Sequence, residues 1–117
     1  MREEWRPVRL GVLALASHFE VSNLGRVRNR ETAHMLRSHF IINRSGDLYE
    51  KVDLYQGGIR YKRFVHRLVA EAFHPNPEQK PEVNHWDENS LNNSKGNLEW
   101  ATRIEQEMHK RFMRATA

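Results

Sequence analysis

His85 is the residue of this sequence best placed to do chemistry. It lies between a short apolar strand starting at Val83 and a loop rich in asparagine, so it is expected at an exposed strand end. A neutral imidazole, with an unperturbed pKa of about 6.5, can accept a proton from water near neutral pH. His85 is therefore a candidate general base; the alternative is a surface histidine or one held in a structural hydrogen bond.

Amide and imidazole groups nearby could hold a divalent ion beside this base. Asn84 directly precedes His85, and an amide oxygen is a suitable hard ligand for magnesium, although it brings no negative charge. Gln106 and His109 lie three residues apart on a predicted helix and therefore project toward one side of it. A histidine base beside one hydrated divalent ion suits hydrolysis of a phosphodiester bond. The alternatives are a turn asparagine and two solvated helix positions.

The strand and loop around His85 set conditions on this interpretation. Adjacent strand residues point to opposite faces, so Asn84 and His85 can serve one site only if the strand ends or bulges there. Asn97 opens the return strand, where its amide can bridge the long loop through backbone groups and hold the base in position. The other asparagines of the loop are expected to supply turn geometry and local hydrogen bonds: Asn89, Asn92 and Asn93.

A second histidine, His66, begins a predicted helix, whose N–H groups favour anions. His66 could contact a phosphate, but a structural hydrogen bond is the favoured interpretation. An all-histidine zinc site would fit no standard ligand spacing: His66, His74, His85 and His109.

Two hairpins are predicted before this segment. Residues 48–55 and 59–65 flank a Gln-Gly-Gly turn at 56–58, which is a strong hairpin signal. A second hairpin spans residues 18–29, with its turn at 23–25.

Helix Val65–Phe73 is predicted from a continuous apolar stripe that Pro75 and Pro77 end. Residues 30–44 are predicted to be irregular, with one strand at His39–Ile42.

The last helix, from residue 103 to about 114, begins with the capping-box spacing of Thr102 and Glu105. Its apolar residues share one face, which predicts a small core contact: Ile104, Met108, Phe112 and Ala115. At about 100° per residue, Gln106 and His109 lie away from that face and are free to bind a ligand.

The composition describes a soluble protein of one domain, or one domain with a small appended module. The chain has 117 residues, 38% of them hydrophobic, and no apolar run approaches the roughly 20 residues that cross a bilayer. The apolar patch at residues 10–16 is too short for a secretory signal. The chain has no cysteine, which excludes disulfides, thiolate zinc sites and thiol catalysis and fits a reducing cytosol.

The charge is mildly basic but unevenly placed, with a net charge of +4 at pH 7. Basic clusters of this kind suit a polyanion, most simply nucleic acid; the alternative is a solvated surface with chance clustering. The predicted DNA-binding residues are Arg26, Arg28, Arg30, Arg60, Lys62, Arg63 and Arg67. A further basic group lies at Lys110, Arg111 and Arg114.

The order and spacing of several segments resemble the phage HNH endonucleases, in the branch that includes many homing endonucleases. The segments are 65–73 (VHRLVAEAF), 75–77 (PNP), 83–87 (VNHWD), 92–93 (NN) and 97–102 (NLEWAT). The opening segments 5–8 (WRPV) and 19–28 (FEVSNLGRVR) resemble the small nuclease-associated motif that precedes the catalytic part in that branch. Together these segments cover nearly the whole chain.

The resemblance implies an α+β fold in which small antiparallel hairpins and a helix precede a C-terminal ββα-metal motif. It divides the chain into a β-rich DNA-binding part, residues 1–58, and a catalytic part, residues 59–117, which could form one compact domain. It also implies a metal-dependent endonuclease of the nicking or homing type that acts on double-stranded DNA. Such an enzyme would work in the cytoplasm, of the host cell if phage-encoded, as a monomer or weak homodimer with one Mg²⁺ or Mn²⁺ ion.

Site residues are carried over by position. His85 would be the general base, Asn97 the structural asparagine, and Asn84 the metal ligand before the base. Gln106 falls where relatives have a helix ligand, and His109 where this branch often places its last histidine. His85 would deprotonate a water, while an ion held by Asn84 and by Gln106 or His109 stabilises the departing 3′ oxygen.

Two departures from the pattern matter. Glu88 stands where glycine is usual, and Gln106 is one methylene longer than asparagine. Because Asn84 is also neutral, the site has no obvious carboxylate ligand unless Asp87 or Glu105 contributes. The alternative function is therefore a catalytically weakened or inactive DNA-binding accessory protein that kept the fold.

Overall fold

Antiparallel hairpins and two helices make up the part of the chain that the computed structural model describes, residues 2–10 and 15–116. The strands are β1 (Trp5–Leu10), β2 (Leu15–Ser22), β3 (Val27–Asn29), β4 (His39–Ile42), β5 (Leu48–Gln56), β6 (Ile59–Phe64), β7 (Glu82–His85) and β8 (Leu98–Ala101). The helices are α1 (Val65–Phe73) and α2 (Arg103–Thr116). The predicted α+β class is confirmed. Most of the apolar patch noted at residues 10–16 of the sequence lies outside the described residues, because it includes residues 11–14.

The first sheet has the strand order β1-β2-β3 and turns one face to the core. Apolar residues alternate with polar ones along its strands, so the apolar set is buried together: Val8, Leu10, Phe19, Val21 and Val27. The β2–β3 hairpin follows the predicted one. Strand β1 was not predicted, because only Val8 and Leu10 mark its buried face among charged neighbours.

The second sheet has the order β4-β5-β6, and its tight turn follows from two glycines. Gly57 and Gly58 have φ values of +59° and +75°, the left-handed conformations that a two-residue hairpin turn requires. Val52 and Leu54 of β5 are fully buried. The predicted hairpin and the predicted strand β4 are both confirmed.

Helix α1 packs on both sheets and carries the centre of the hydrophobic core, with the bounds that its apolar stripe predicted. Its buried apolar residues are Val65, Leu68, Val69, Ala70 and Phe73. Burial of a valine, leucine or phenylalanine side chain stabilises the fold by about 1.5–3 kcal/mol. Val83 of β7 and Leu98 of β8 join the same core. The core therefore anchors the hairpin that carries His85.

Helix α2 begins with the predicted capping box. The Thr102 N–H donates to Oε1 of Glu105 at 2.9 Å, and the Glu105 N–H donates to Oγ1 of Thr102 at 3.1 Å. These two bonds satisfy N–H groups that the first helical turn leaves unpaired. They fix where α2 starts relative to β8.

The predicted core contact of α2 is wrong. Ile104, Met108 and Phe112 are 72%, 65% and 57% exposed, and α2 has no buried residue in its described span. Helical periodicity identifies an apolar face but not what covers it. Polar contacts from Gln106 and His109 to the β7 segment hold α2 in place instead.

No helix among residues 2–10 and 15–116 is long and apolar enough to cross a membrane.

Candidate active site

A groove between β7, α2 and the loop before β5 contains the predicted base. Its volume is about 450 Å³, and it is lined by Ser45, Asp47, Tyr49, Val83, Asn84, His85, Glu88, Ser90, Gln106, Lys110 and Arg114. The structure thus brings His85, Asn84 and Gln106 to one opening, because β7 ends at His85. A larger groove, of about 560 Å³, contains His74 but none of these three residues.

His85 is almost enclosed, with 8% of its surface exposed. Its ring packs edge-on against His66 and Tyr49, with centroid distances of 5.1 and 6.3 Å. Burial lowers the pKa of His85, while the hydrogen bond with Asn93 and the charge of Asp87 offset part of that shift. The neutral form, which can accept a proton, therefore predominates at neutral pH.

A chain of hydrogen bonds decides which nitrogen of His85 carries the proton. The Asn93 Nδ2 donates to Oε1 of Glu50 at 3.1 Å, and a carboxylate can only accept. Oδ1 of Asn93 is therefore turned toward His85, whose Nε2 lies 2.8 Å away and must be the donor. Nδ1 is then the unprotonated nitrogen of the neutral ring.

His66 packs directly against His85, the candidate base. Burial, with smaller contributions from His85 and Arg67, lowers the pKa of His66 to about 3. Its Nδ1 is buried and has no hydrogen-bond partner among the described residues. The predicted structural hydrogen bond is therefore wrong for this atom. Aromatic contacts with Tyr49 and Phe64 hold the ring instead.

The loop between β7 and β8 is closed by Asn97 and Asp87. Oδ1 of Asn97 accepts the Asp87 N–H at 3.0 Å, and its Nδ2 donates to Asp87 and to the Asn92 carbonyl, each at 2.9 Å. Asn97 thus makes the bridging contacts expected of it, and Asp87 is engaged within the loop. Glu88 has a φ of +61°, a left-handed conformation that explains why the resemblance implies a glycine there.

Asn84 and Gln106 both line the groove, and each is bonded to a carboxylate. Nδ2 of Asn84 donates to Oε1 of Glu99 at 3.2 Å, and Nε2 of Gln106 donates to Oε2 of Glu82. The amide oxygens Oδ1 and Oε1 remain as acceptors. Glu105, considered from the sequence as a ligand, is occupied in the α2 cap.

His109 faces the β7 segment but does not line the groove in the described part of the chain. Its Nε2 donates to the Trp86 carbonyl at 2.8 Å, and the two rings stack with centroids 4.4 Å apart. Of the two predicted helix ligands, only Gln106 therefore reaches the groove. The position of His109 is that of an anchor between α2 and Trp86.

The side chains that line the groove suit a site that holds one hydrated divalent ion better than a site in which protein ligands surround the metal completely. Within residues 2–10 and 15–116, no three His, Cys, Asp or Glu side chains are grouped as metal ligands. The amide oxygens of Asn84 and Gln106 are hard donors, and Mg²⁺ commonly takes few protein ligands and keeps several waters. The residues present therefore fit the ion that the resemblance implies.

Several basic residues predicted to bind DNA are engaged within the chain. Their partners are Glu3 for Arg26, Glu20 for Arg28, Asp53 for Arg60 and the Pro81 carbonyl for Arg67. Arg63 packs over the ring of Tyr61. Arg30 and Lys62 are exposed.

The structure adds residues that sequence reasoning missed. Asn93, expected only in the turn, is hydrogen-bonded to His85, and Glu82 is hydrogen-bonded to Gln106. Lys110 and Arg114, noted only as a basic group, line the groove. The available sequence signal at Asn93 was its place in the adjacent Asn92-Asn93 pair, one of the segments that carry the family resemblance.

Comparison with known proteins finds a family match in the C-terminal half of the chain. Residues 63–108 match the family described as HNH endonuclease, and His85, Asn97 and Gln106 lie within that range. The resemblance found in the sequence is thereby confirmed.

Individual relatives extend the likeness beyond the family match. The chain is 32% identical over 99 residues to the DNA endonuclease I-HmuI of Bacillus phage SP01, covering 85% of this chain and 52% of that protein. It is 38% identical over 88 residues to the uncharacterized HNH endonuclease L245 of Acanthamoeba polyphaga mimivirus, covering 75% of this chain and 25% of that protein. The chain thus spans about half or less of these relatives.

A solved structure supports the fold over nearly the full length. The structure, titled DNA binding and cleavage by the HNH homing endonuclease I-HmuI, matches 97% of this chain and 60% of that chain. The TM-score is 0.74 at 31% sequence identity. The likeness therefore includes the N-terminal sheets as well as the residues around His85.

Proposed function

We propose that this chain is a metal-dependent DNA endonuclease in which His85 activates the attacking water. The observation that carries the proposal is the single groove shared by His85, Asn84 and Gln106, because a base and metal ligands must reach the same phosphate. Lys110 and Arg114 line that groove and supply positive charge for the phosphate.

In this mechanism His85 acts through Nδ1, which takes a proton from a water molecule. The hydroxide attacks phosphorus in line with the 3′ oxygen, the P–O3′ bond breaks, and the 3′ oxygen takes a proton from solvent. The Nε2–H of His85 stays bonded to Asn93, which holds the ring through proton transfer. A divalent ion, Mg²⁺ or Mn²⁺, held by Asn84 and Gln106 would supply Lewis-acid stabilisation of the departing oxygen.

Double-stranded DNA is the proposed substrate, and a nick the proposed product. One base and one ligand set per chain favour cleavage of one strand by a monomer; a double-strand cut would need a weak homodimer or a second encounter. Exposed Arg30 and Lys62 are proposed to contact phosphates, which position DNA but specify little sequence. A homing-type role in the cytoplasm of a phage-infected host is proposed from the likeness to the phage enzyme I-HmuI.

A second candidate function is a DNA-binding accessory protein with weakened or lost catalysis. One observation favours it: the two candidate ligands in the groove, Asn84 and Gln106, are both neutral amides. Neutral amide ligands attract a divalent ion less strongly than carboxylate ligands do.

Nicking of supercoiled plasmid separates the two candidates. The chain is incubated with Mg²⁺ or Mn²⁺, with chelator, and as the His85→Ala variant. The endonuclease proposal requires nicking that needs both the metal and His85. DNA binding without any metal-dependent nicking would support the accessory protein, and undiminished nicking by His85→Ala would refute the assignment of the base.

A further inference from the structure

We propose that Glu82 and Glu99 are positioning residues that hold the amides of Gln106 and Asn84 with their oxygens available to the cation. The inference deepens the proposed function and rests on it. An amide ligand differs from a carboxylate in one respect: it has a donor end and an acceptor end, and only the oxygen binds a metal.

The geometry at Gln106 fixes which end is available. Glu82 lies two residues before Asn84 on β7, so the two side chains share a face of the strand. Nε2 of Gln106 donates to the Glu82 carboxylate. Because an ionised carboxylate only accepts, the amide cannot rotate by half a turn and keep this bond. Oε1 of Gln106 is therefore held away from Glu82, with Gln106 in the wall of the groove.

Asn84 repeats the arrangement with a different carboxylate. Glu99 is its direct partner across the β7–β8 pair, and Nδ2 of Asn84 donates to Oε1 of Glu99 at 3.2 Å. The same argument leaves Oδ1 of Asn84 as the available atom. Each neutral ligand thus has its own carboxylate partner. The carboxylate fixes the orientation of the amide, as a hydrogen bond to the second nitrogen of a metal-binding histidine fixes the orientation of its ring.

Mn²⁺ binding to the DNA-free chain, followed by electron paramagnetic resonance of the free ion, tests this without turnover. Glu82→Gln keeps the size of the side chain but can offer an N–H as well as an oxygen, so the Gln106 amide is no longer fixed. Loss of such a partner is expected to raise the dissociation constant for Mn²⁺ by about 10-fold or more. Glu99→Gln is expected to act similarly through Asn84.

Two controls separate orientation from net charge. Glu78→Gln removes the same charge from an exposed residue that contacts neither amide, and the dissociation constant should change by less than about twofold. In a Gln106→Ala background there is no amide for Glu82 to orient, so Glu82→Gln should add less than about twofold. Circular dichroism and thermal unfolding confirm that each variant is folded.

The outcomes distinguish this inference from the proposed function. Unchanged Mn²⁺ affinity in folded Glu82→Gln and Glu99→Gln, with a wild type that binds Mn²⁺ and nicks DNA, would overturn the inference alone. An equal rise in the Mn²⁺ dissociation constant when Glu82→Gln is made in the wild type and in the Gln106→Ala variant would also overturn it. Glu82 would then not act through the Gln106 amide. A wild type that binds no Mn²⁺ would overturn both.

Discussion

Oδ1 of Asn93 lies 2.8 Å from Nε2 of His85, and both residues are largely buried, with His85 in the wall of the groove and Asn93 behind it. The Glu50 carboxylate on the other end of the Asn93 amide leaves this oxygen no alternative orientation. A loop asparagine thereby sets the tautomer of the candidate base, and it does so from outside the groove.

Asn93→Ala is expected to lower kcat for DNA nicking by about 10-fold or more, with a ceiling of the roughly 10²–10⁴-fold that loss of a general base costs. The reason is that Nε2 of His85 loses its acceptor, so the proton can move to Nδ1. KM for DNA should change little, because Asn93 is buried. The ¹⁵N shifts of the His85 ring report the tautomer directly.

Asn89→Ala is the matched control, since Asn89 Oδ1 accepts only a local loop N–H. A kcat for Asn93→Ala that equals that of Asn89→Ala, with the His85 tautomer unchanged, would contradict this role for Asn93.

The burial of His66 predicts a loss of stability in acid. Its pKa is about 3 in the folded chain, against about 6.5 when unfolded, so the unfolded state binds more protons below pH 6.5. Unfolding free energy should therefore fall as the pH drops from about 6.5 toward 3, by roughly 2 kcal/mol between pH 7 and pH 5. Urea unfolding at both pH values measures it.

His66→Phe keeps an aromatic ring against Tyr49 and Phe64 but cannot titrate. The variant should lose most of this pH dependence and keep a smaller part, because burial also lowers the pKa of His85. Parallel pH profiles for wild type and variant would mean that His66 is not the group responsible.

Substitutions on α2 distinguish the two predicted helix ligands. Gln106→Ala should raise the Mn²⁺ concentration needed for half-maximal nicking by about 10-fold or more, because Gln106 lines the groove. His109→Ala should leave that concentration nearly unchanged, because its Nε2 is bonded to the Trp86 carbonyl. The opposite order of effects would assign the ligand role to His109.

The apolar face of α2 should contribute little to stability. Met108 is 65% exposed, so Met108→Gln is expected to change the unfolding free energy by less than about 0.5 kcal/mol. Leu54 is fully buried, and Leu54→Ala should cost about 2–5 kcal/mol under the same conditions. A loss above about 2 kcal/mol for Met108→Gln would show that this face is covered in solution.

Local patterns predicted the elements well, and long-range contacts account for what they missed. The stripe of α1 and the Gly57-Gly58 turn are determined by neighbouring residues, and both were predicted from sequence. The exposure of the apolar face of α2 was not predicted, because apolar periodicity identifies a face of a helix but not the element that packs against it.

The residues of the candidate site were predicted from the sequence, but the long-range contacts that position them were not. His85, Asn84 and Gln106 were predicted from their residue types, their sequence context and the family resemblance, and they line one groove. The contact between Asn93 and Glu50 joins residues 43 positions apart in the sequence, so no local pattern predicts it. The hydrogen bond from His109 to the Trp86 carbonyl likewise depends on how α2 packs against the segment that follows β7.

The shared site for base and cation is tested most directly by titrating the ¹⁵N-labelled chain with Mn²⁺ and following the paramagnetic broadening of assigned NMR signals. The signals of Asn84, His85 and Gln106 should broaden first and together, at Mn²⁺ concentrations that support nicking. Broadening centred elsewhere in the chain, or none at these three residues while nicking proceeds, would contradict the claim that base and cation share this groove.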